Sequence, residues 1–323
     1  MKIEKITQLS GHKGAVYALG EGRTPQHIFT GAGDGWLVEW DLANHETGRL
    51  IANVEKNIFC LKYLKNQQRV VIGDMDGGIR FVDLENPDKT LNIKHHSKGC
   101  YNIQSFDNQL FTLGGEGIIT RWSAEESRSI ESLQLSSKSL RSMAISAPKR
   151  EIVVGASDGN MYFLDIDNFN LKHTIYAAHQ NSIFTVRYTP SYQHILTGGR
   201  DAFLKMWQAN DIWNNNNLKP IFSIPAHLFT INAIAFHPSN NQIFATASRD
   251  KTIKIWQIEE INSENTEGVA HHKDATITLL KVIDTVKHGC HIRSVNNLYW
   301  STFNNYLISA SDDYTAMVWK IDI

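Results

Sequence analysis

Four landmarks recur along this chain in one fixed order, a histidine, a hydroxyl residue, an acid and a tryptophan, and no other feature limits its fold so severely. Residues 226–257, AHLFTINAIAFHPSNNQIFATASRDKTIKIWQ, show the unit most fully. Three apolar runs lie near 231–236, 243–247 and 252–256, each too short for a helix and divided by the turn-forming stretches HPSNN and SRDK. Three short strands are predicted, framed by His227, Thr246, Asp250 and Trp256. In the same register the acid column reads Asp34, Asp76, Glu116, Asp158, Asp201, Asp250 and Asp313, and the position six later reads Trp40, Val82, Trp122, Leu164, Trp207, Trp256 and Trp319. The histidine column reads His12, Val54, His96, Ser136, His179, His227 and His291. Four residues before each acid stand Thr30, Ile72, Thr112, Val154, Thr197, Thr246 and Ser309. Successive acids lie 42, 40, 42, 43, 49 and 63 residues apart, the period of four-stranded propeller blades rather than of helical hairpins.

Composition narrows the setting of such an array. With 323 residues, 42% of them hydrophobic, the chain is long enough for a large core, and no stretch has the uninterrupted apolar length of a membrane span. The start, MKIEKITQLSGH, lacks the apolar run of a secretion signal, so a cytoplasmic protein without membrane partners is expected. A net charge of -1 gives no bulk attraction to nucleic acid. Cys60, Cys100 and Cys290 are odd in number and lack C-x-x-C spacing, which argues for free thiols rather than disulfides or a thiolate metal site.

These residues resemble the WD-repeat family, whose G-beta-type repeats carry Gly-His, a Ser/Thr-x-x-x-Asp turn and Trp-Asp. Gly11-His12, Asp34 and Trp40-Asp41 match in full, and the resemblance runs through seven units covering the chain. It implies an all-β fold: a single seven-bladed β-propeller with four antiparallel strands per blade around a central channel. The expected repeats span approximately 10–50, 51–93, 94–133, 134–174, 175–222, 223–285 and 286–323. Residues 2–9 precede the first Gly-His as an outer strand would, and the sequence stops on the third strand of its last repeat. The N-terminal strand is therefore expected to complete the last blade and close the ring. Longer connections at 210–217 and 259–275 are read as surface insertions after the tryptophan strand.

The recurring His, Asp and hydroxyl imitate a catalytic triad, but an enzyme needs one such site and here the set is reiterated. In the resembling family these residues form a buried hydrogen-bond chain from Trp to Ser/Thr to His to Asp. Carried over, the network is His12, Thr30, Asp34 and Trp40; His179, Thr197, Asp201 and Trp207; His227, Thr246, Asp250 and Trp256; and His291, Ser309, Asp313 and Trp319. The second and fourth repeats lose His, Ser/Thr and Trp together, so apolar packing is expected to replace the network, with Asp76 and Asp158 kept to shape their turns. Glu116 leaves the third network open. Residues 155–159 fit G-x-S-x-G, but a strand follows instead of the helix that a nucleophile elbow requires. Residues 74–85 imitate a calcium loop, with Ile79 where glycine is required. Neither His271-His272 nor the His288, Cys290 and His291 cluster offers a four-ligand set. No catalytic residue, metal or cofactor is expected.

The resemblance places partner contacts on the top face, at positions near the His column and just before the acid. The residues five after the His column are Tyr17, Phe59, Tyr101, Arg141, Phe184, Asn232 and Asn296, and those before the acid include Arg200 and Arg249. Together with Arg293 and the nearby Lys56, Lys98 and Lys138, they form a face of aromatics and cations. The sequence thus reads as a non-catalytic scaffold, a monomeric propeller within a complex, binding a protein or peptide segment with acidic or phosphorylated residues. Two rivals stand beside it. One is a metal-dependent propeller hydrolase, which needs acids converging on the channel; the other is a nucleic-acid scaffold using the basic face, which the near-zero net charge disfavours.

Overall fold

The computed structural model describes residues 1–45, 48–210, 218–261 and 274–322. The described residues form seven four-stranded antiparallel sheets. Six consist of consecutive strands, spanning 16–53, 58–94, 100–134, 140–175, 183–225 and 231–283; here they are blades one to six. In blade seven the strands Val295–Trp300, Leu307–Ser311 and Ala316–Asp322 are joined by Lys2–Leu9, in register from Lys2 opposite Asp322 to Leu9 opposite Ala316. The chain is an all-β seven-bladed propeller whose N-terminal strand closes the ring.

Burial follows position within a blade. The second strand of each blade is covered on both faces, as in Ile243–Ser248 and Glu151–Ala156, where every residue is buried. Outer strands face water, and Arg128–Gln134 is almost wholly exposed. The core is a circle of clusters between adjacent blades rather than one central mass. Between blades five and six, Leu196, Leu204 and Met206 meet Ile234, Phe244 and Trp256. Equivalent clusters join every other neighbouring pair, including blade seven with blade one. Each fully buried aliphatic side chain contributes about 1.5–3 kcal/mol relative to exposure. Close approach of the blades demands small residues: a Cβ on Gly198 would stand 2.7 Å from Ile231 Cγ2 of the next blade.

The structure refines two expected insertions. Around 259–275 the strands Ile253–Ile261 and Asp274–Ile283 run on as a ladder beyond the tryptophan, and only 262–273, with His271-His272, lies outside the described residues. Residues 211–217 of the 210–217 connection also lie outside them. A single helical turn, Thr285–His288, precedes blade seven; Asp284 caps it and Gly289 ends it in the left-handed conformation. Lys5 donates to the Gly289 carbonyl at 2.9 Å, tying this turn to the closing strand. Among the described residues no helix is long and apolar enough to cross a membrane.

Candidate functional site

In blade five the Trp207 indole N–H lies 3.0 Å from Thr197 Oγ1, which lies 2.7 Å from His179 Nε2, and His179 Nδ1 lies 2.9 Å from Asp201. With the imidazole neutral and protonated on Nδ1, every donor in this chain finds an acceptor. The same connections join His12, Thr30, Asp34 and Trp40; His227, Thr246, Asp250 and Trp256; and His291, Ser309, Asp313 and Trp319. Thr30, Thr197, Thr246 and Ser309 are fully buried, so no substrate reaches these hydroxyls. Burial holds His12, His96, His179 and His227 below the ordinary histidine range against the opposing pull of their acids. Burial raises the Asp201 and Asp313 pKa values, but hydrogen bonds from the histidines and turn amides outweigh it, leaving Asp313 at about 2.

The open case of the third repeat resolves as complete. The longer Glu116 reaches His96 Nδ1 at 2.6 Å, while His96 Nε2 and the Trp122 indole both meet Thr112 Oγ1. Two expectations need correction. In blade two the turn is held by Asp74, not Asp76: Asp74 accepts from the Asp76 and Gly78 amides and is buried, whereas Asp76 pairs with Lys56 at 2.8 Å. In blade four apolar packing does not replace the network completely. Ser136 donates to Asp158 at 2.6 Å, and Tyr162, from the third strand, donates to the same oxygen at 2.6 Å. A phenol on a different strand position does the anchoring of the missing imidazole.

The innermost strand of every blade carries a ladder irregularity at one equivalent place. Pairing skips from Val16 to Ala18, Ile58 to Cys60, Cys100 to Asn102, Leu140 to Ser142, Ile183 to Thr185, Ile231 to Ala233 and Val295 to Asn297. The skipped residues are Tyr17, Phe59, Tyr101, Arg141, Phe184, Asn232 and Asn296. A bulge residue leaves the ladder and is re-aimed, and all seven line one cavity of about 320 Å³ at the channel mouth. Tyr17 meets Phe59 edge-on at 5.4 Å, Phe59 stacks on Tyr101 at 5.5 Å, and the Arg141 guanidinium lies 4.2 Å from the Tyr101 ring and 5.3 Å from Phe184. The other side of the mouth is amide: Asn232 donates to the Val295 carbonyl at 2.8 Å, and Asn296 donates to Asp312 at 2.8 Å.

Beside the mouth, an open cleft of about 760 Å³ is lined by Arg249, Lys251 and Arg293 with Ile292, Asp312 and Tyr314, and it shares Tyr17 with the mouth. Arg200 is exposed and lines neither cavity. Sequence reasoning passed over the apolar neighbours of these cations. Leu228 and Ile292 directly follow His227 and His291 and are 84% and 63% exposed, and Phe229 beside Leu228 is 58% exposed. The signal was present in the sequence, because the other blades have Lys13, Glu55, Ser97, Ser137 and Gln180 at that step. Among the described residues, no group of three or more His, Cys, Asp or Glu is arranged to hold a metal ion. Cys290 is buried, which pushes its thiol up to about 12, and His291 is committed to its network.

The family model described as WD domain, G-beta repeat, matches residues 169–208, 218–257 and 281–320, each match ending one residue beyond a network tryptophan. The chain is a seven-bladed β-propeller in which these three units match the WD40 repeat. The WD40 β-propeller domain of Doa1 superposes with a TM-score of 0.80 at 14% identity, covering 99% of this chain and 97% of that one. Autophagy-related protein 16 of Arabidopsis thaliana is 23% identical over 301 residues, 85% of this chain and 56% of the relative. Histone acetyltransferase type B subunit 2 of Candida glabrata is 23% identical over 261 residues, 66% of this chain and 61% of the relative. Nuclear distribution protein PAC1 of Candida albicans is 27% identical over 246 residues, 75% of this chain and 47% of the relative. The chain thus spans about half the length of these curated relatives.

Proposed function

We propose that this propeller is a non-catalytic interaction scaffold whose top face binds a protein or peptide segment carrying apolar anchors and acidic or phosphorylated residues. The observation that carries this reading is the convergence of seven bulge residues on one mouth beside a cationic cleft. Rigid aromatics there offer large contact area at low side-chain entropy. Arg249, Lys251 and Arg293 outnumber Asp312 and can pair with carboxylates or phosphates, while Ile292 and Tyr314 offer apolar contact. A relative named as a subunit of a histone acetyltransferase is in keeping with work inside a complex. Affinity purification with mass spectrometry tests the reading. Phe59→Ala, Tyr101→Ala and Arg249→Glu are each expected to lose partners that the wild-type chain captures; full retention by all three would remove the proposal.

A further inference from the structure

The bulge residues form only the top tier of the channel wall. One step along each inner strand stand Ala18, Cys60, Asn102, Ser142, Thr185, Ala233 and Asn297; two steps further stand Gly20, Lys62, Gln104, Ala144, Arg187, Ala235 and Tyr299. Small residues at several of these positions leave room beneath the mouth. Two cations belong to the lower tier, and they differ. Lys62 pairs with Glu21 at 2.9 Å. Arg187 meets no carboxylate among the described residues; its hydrogen bond runs to the Val186 carbonyl of its own strand at 3.0 Å.

Arg187 lines the mouth cavity with Arg141, and no acid lines that cavity among the described residues; the cavity of about 280 Å³ that Arg187 also lines below it holds Glu21, which is paired with Lys62. Burial lowers the Arg187 pKa with no neighbouring charge opposing it. Two more groups on the same wall lack partners. Ser142 is 3% exposed and its Oγ makes no hydrogen bond, and the Asn102 Oδ1 is likewise buried and unpartnered. A buried hydroxyl without a partner costs free energy, so an occupant that bonds to it is favoured. Of the aromatic faces that would suit a ligand cation, those of Tyr101 and Phe184 are taken by the Arg141 guanidinium, and Phe59 stacks on Tyr101.

We infer that the channel beneath the mouth is an oxyanion site, in which Arg187 and Ser142 receive a carboxylate or phosphate monoester on a short apolar stem held among the rim aromatics. This deepens the scaffold reading, on which it rests for the source of the oxyanion: an acidic or phosphorylated side chain of the docked segment. The guanidinium offers a planar donor pair to either anion, and the hydroxyl adds a third donor.

The test uses the full chain and four small probes in calorimetric titrations: phenylacetate, phenyl phosphate, benzyl alcohol and benzylamine. At least one anion is expected to bind about tenfold more tightly than the alcohol and the amine, as one charge-assisted interaction requires. The tighter of the two anions distinguishes a carboxylate source from a phosphate source. Arg187→Met should abolish that preference, Ser142→Ala should weaken the anion severalfold, and the outer-strand variant Arg128→Gln should retain wild-type affinity. Equal binding of anion and alcohol, no anion binding, or an undiminished preference in Arg187→Met would overturn the inference. Should Arg187→Met not fold, an undiminished preference in Ser142→Ala overturns it. Probe binding without partner capture would defeat the scaffold reading alone, and capture without probe binding would defeat the channel site alone.

Discussion

At the residue scale, one hydroxyl ties each complete network together. Thr197→Val strands both the Trp207 indole and His179 Nε2, and each stranded group costs about 1–3 kcal/mol; denaturant unfolding should show a large loss, and a wild-type midpoint would contradict the role. The networks also set the response to acid. His12, His96, His179 and His227 sit below the ordinary value near 6.5 when folded and return to it on unfolding. The unfolded chain therefore binds more protons, so this contribution is full above about pH 6.5 and is lost as pH falls through the interval down to the depressed folded values. The lowered Asp201 and Asp313 values act in the same direction at still lower pH. Melting temperature is expected to fall between pH 7 and pH 5, and a flat profile would refute the assignment. These columns were legible because they combine rare residue types at fixed spacing. Tyr162 was not: a tyrosine inside MYFLD reads as strand apolarity until the backbone brings its hydroxyl to Asp158. Asp74 hid for the opposite reason, since two acids stand two residues apart and only geometry shows which one holds the turn.

At the element scale, the decisive piece is Lys2–Leu9, which pairs along the whole of Ala316–Asp322. Removing it leaves an unpaired edge on blade seven and strips Leu9 from the cluster shared with blade one. Deletion of 2–9 should lower the melting temperature by about 10 °C or more; an unchanged melt would show that closure contributes nothing. Packing between elements gives a second measurement. Gly198→Val would drive a side chain into Ile231 and should cost about 1–3 kcal/mol by overpacking, read as a shifted urea midpoint at constant slope. Strand positions followed from apolar runs bounded by turn residues. The ladder of Ile253–Ile261 with Asp274–Ile283 extended beyond expectation because Glu259, Glu260, Asp274 and Thr276 interrupt the apolar run in the sequence, although Ile258, Ala275 and Ile277 beside them are buried in the interblade core.

At the scale of the molecule, seven interblade clusters form a closed circuit, so the position of each blade is fixed by two neighbours. With a net charge of -1, attraction to polyanions rests on local clusters, and titration with RNA should show no steep salt-dependent binding; a steep slope would revive the nucleic-acid reading. The seven bulges separate two tasks that most folds confuse. A residue outside the ladder can be exchanged without altering strand register, so Tyr17, Phe59, Tyr101, Arg141 and Phe184 form a five-letter word written on a frame that does not depend on its spelling, whereas Asn232 and Asn296 also bond the backbone of the next blade. A library randomised at the five codons of that word should therefore yield mostly folded propellers with different ligands, whereas one randomised a single step away would rewrite the wall of the channel itself.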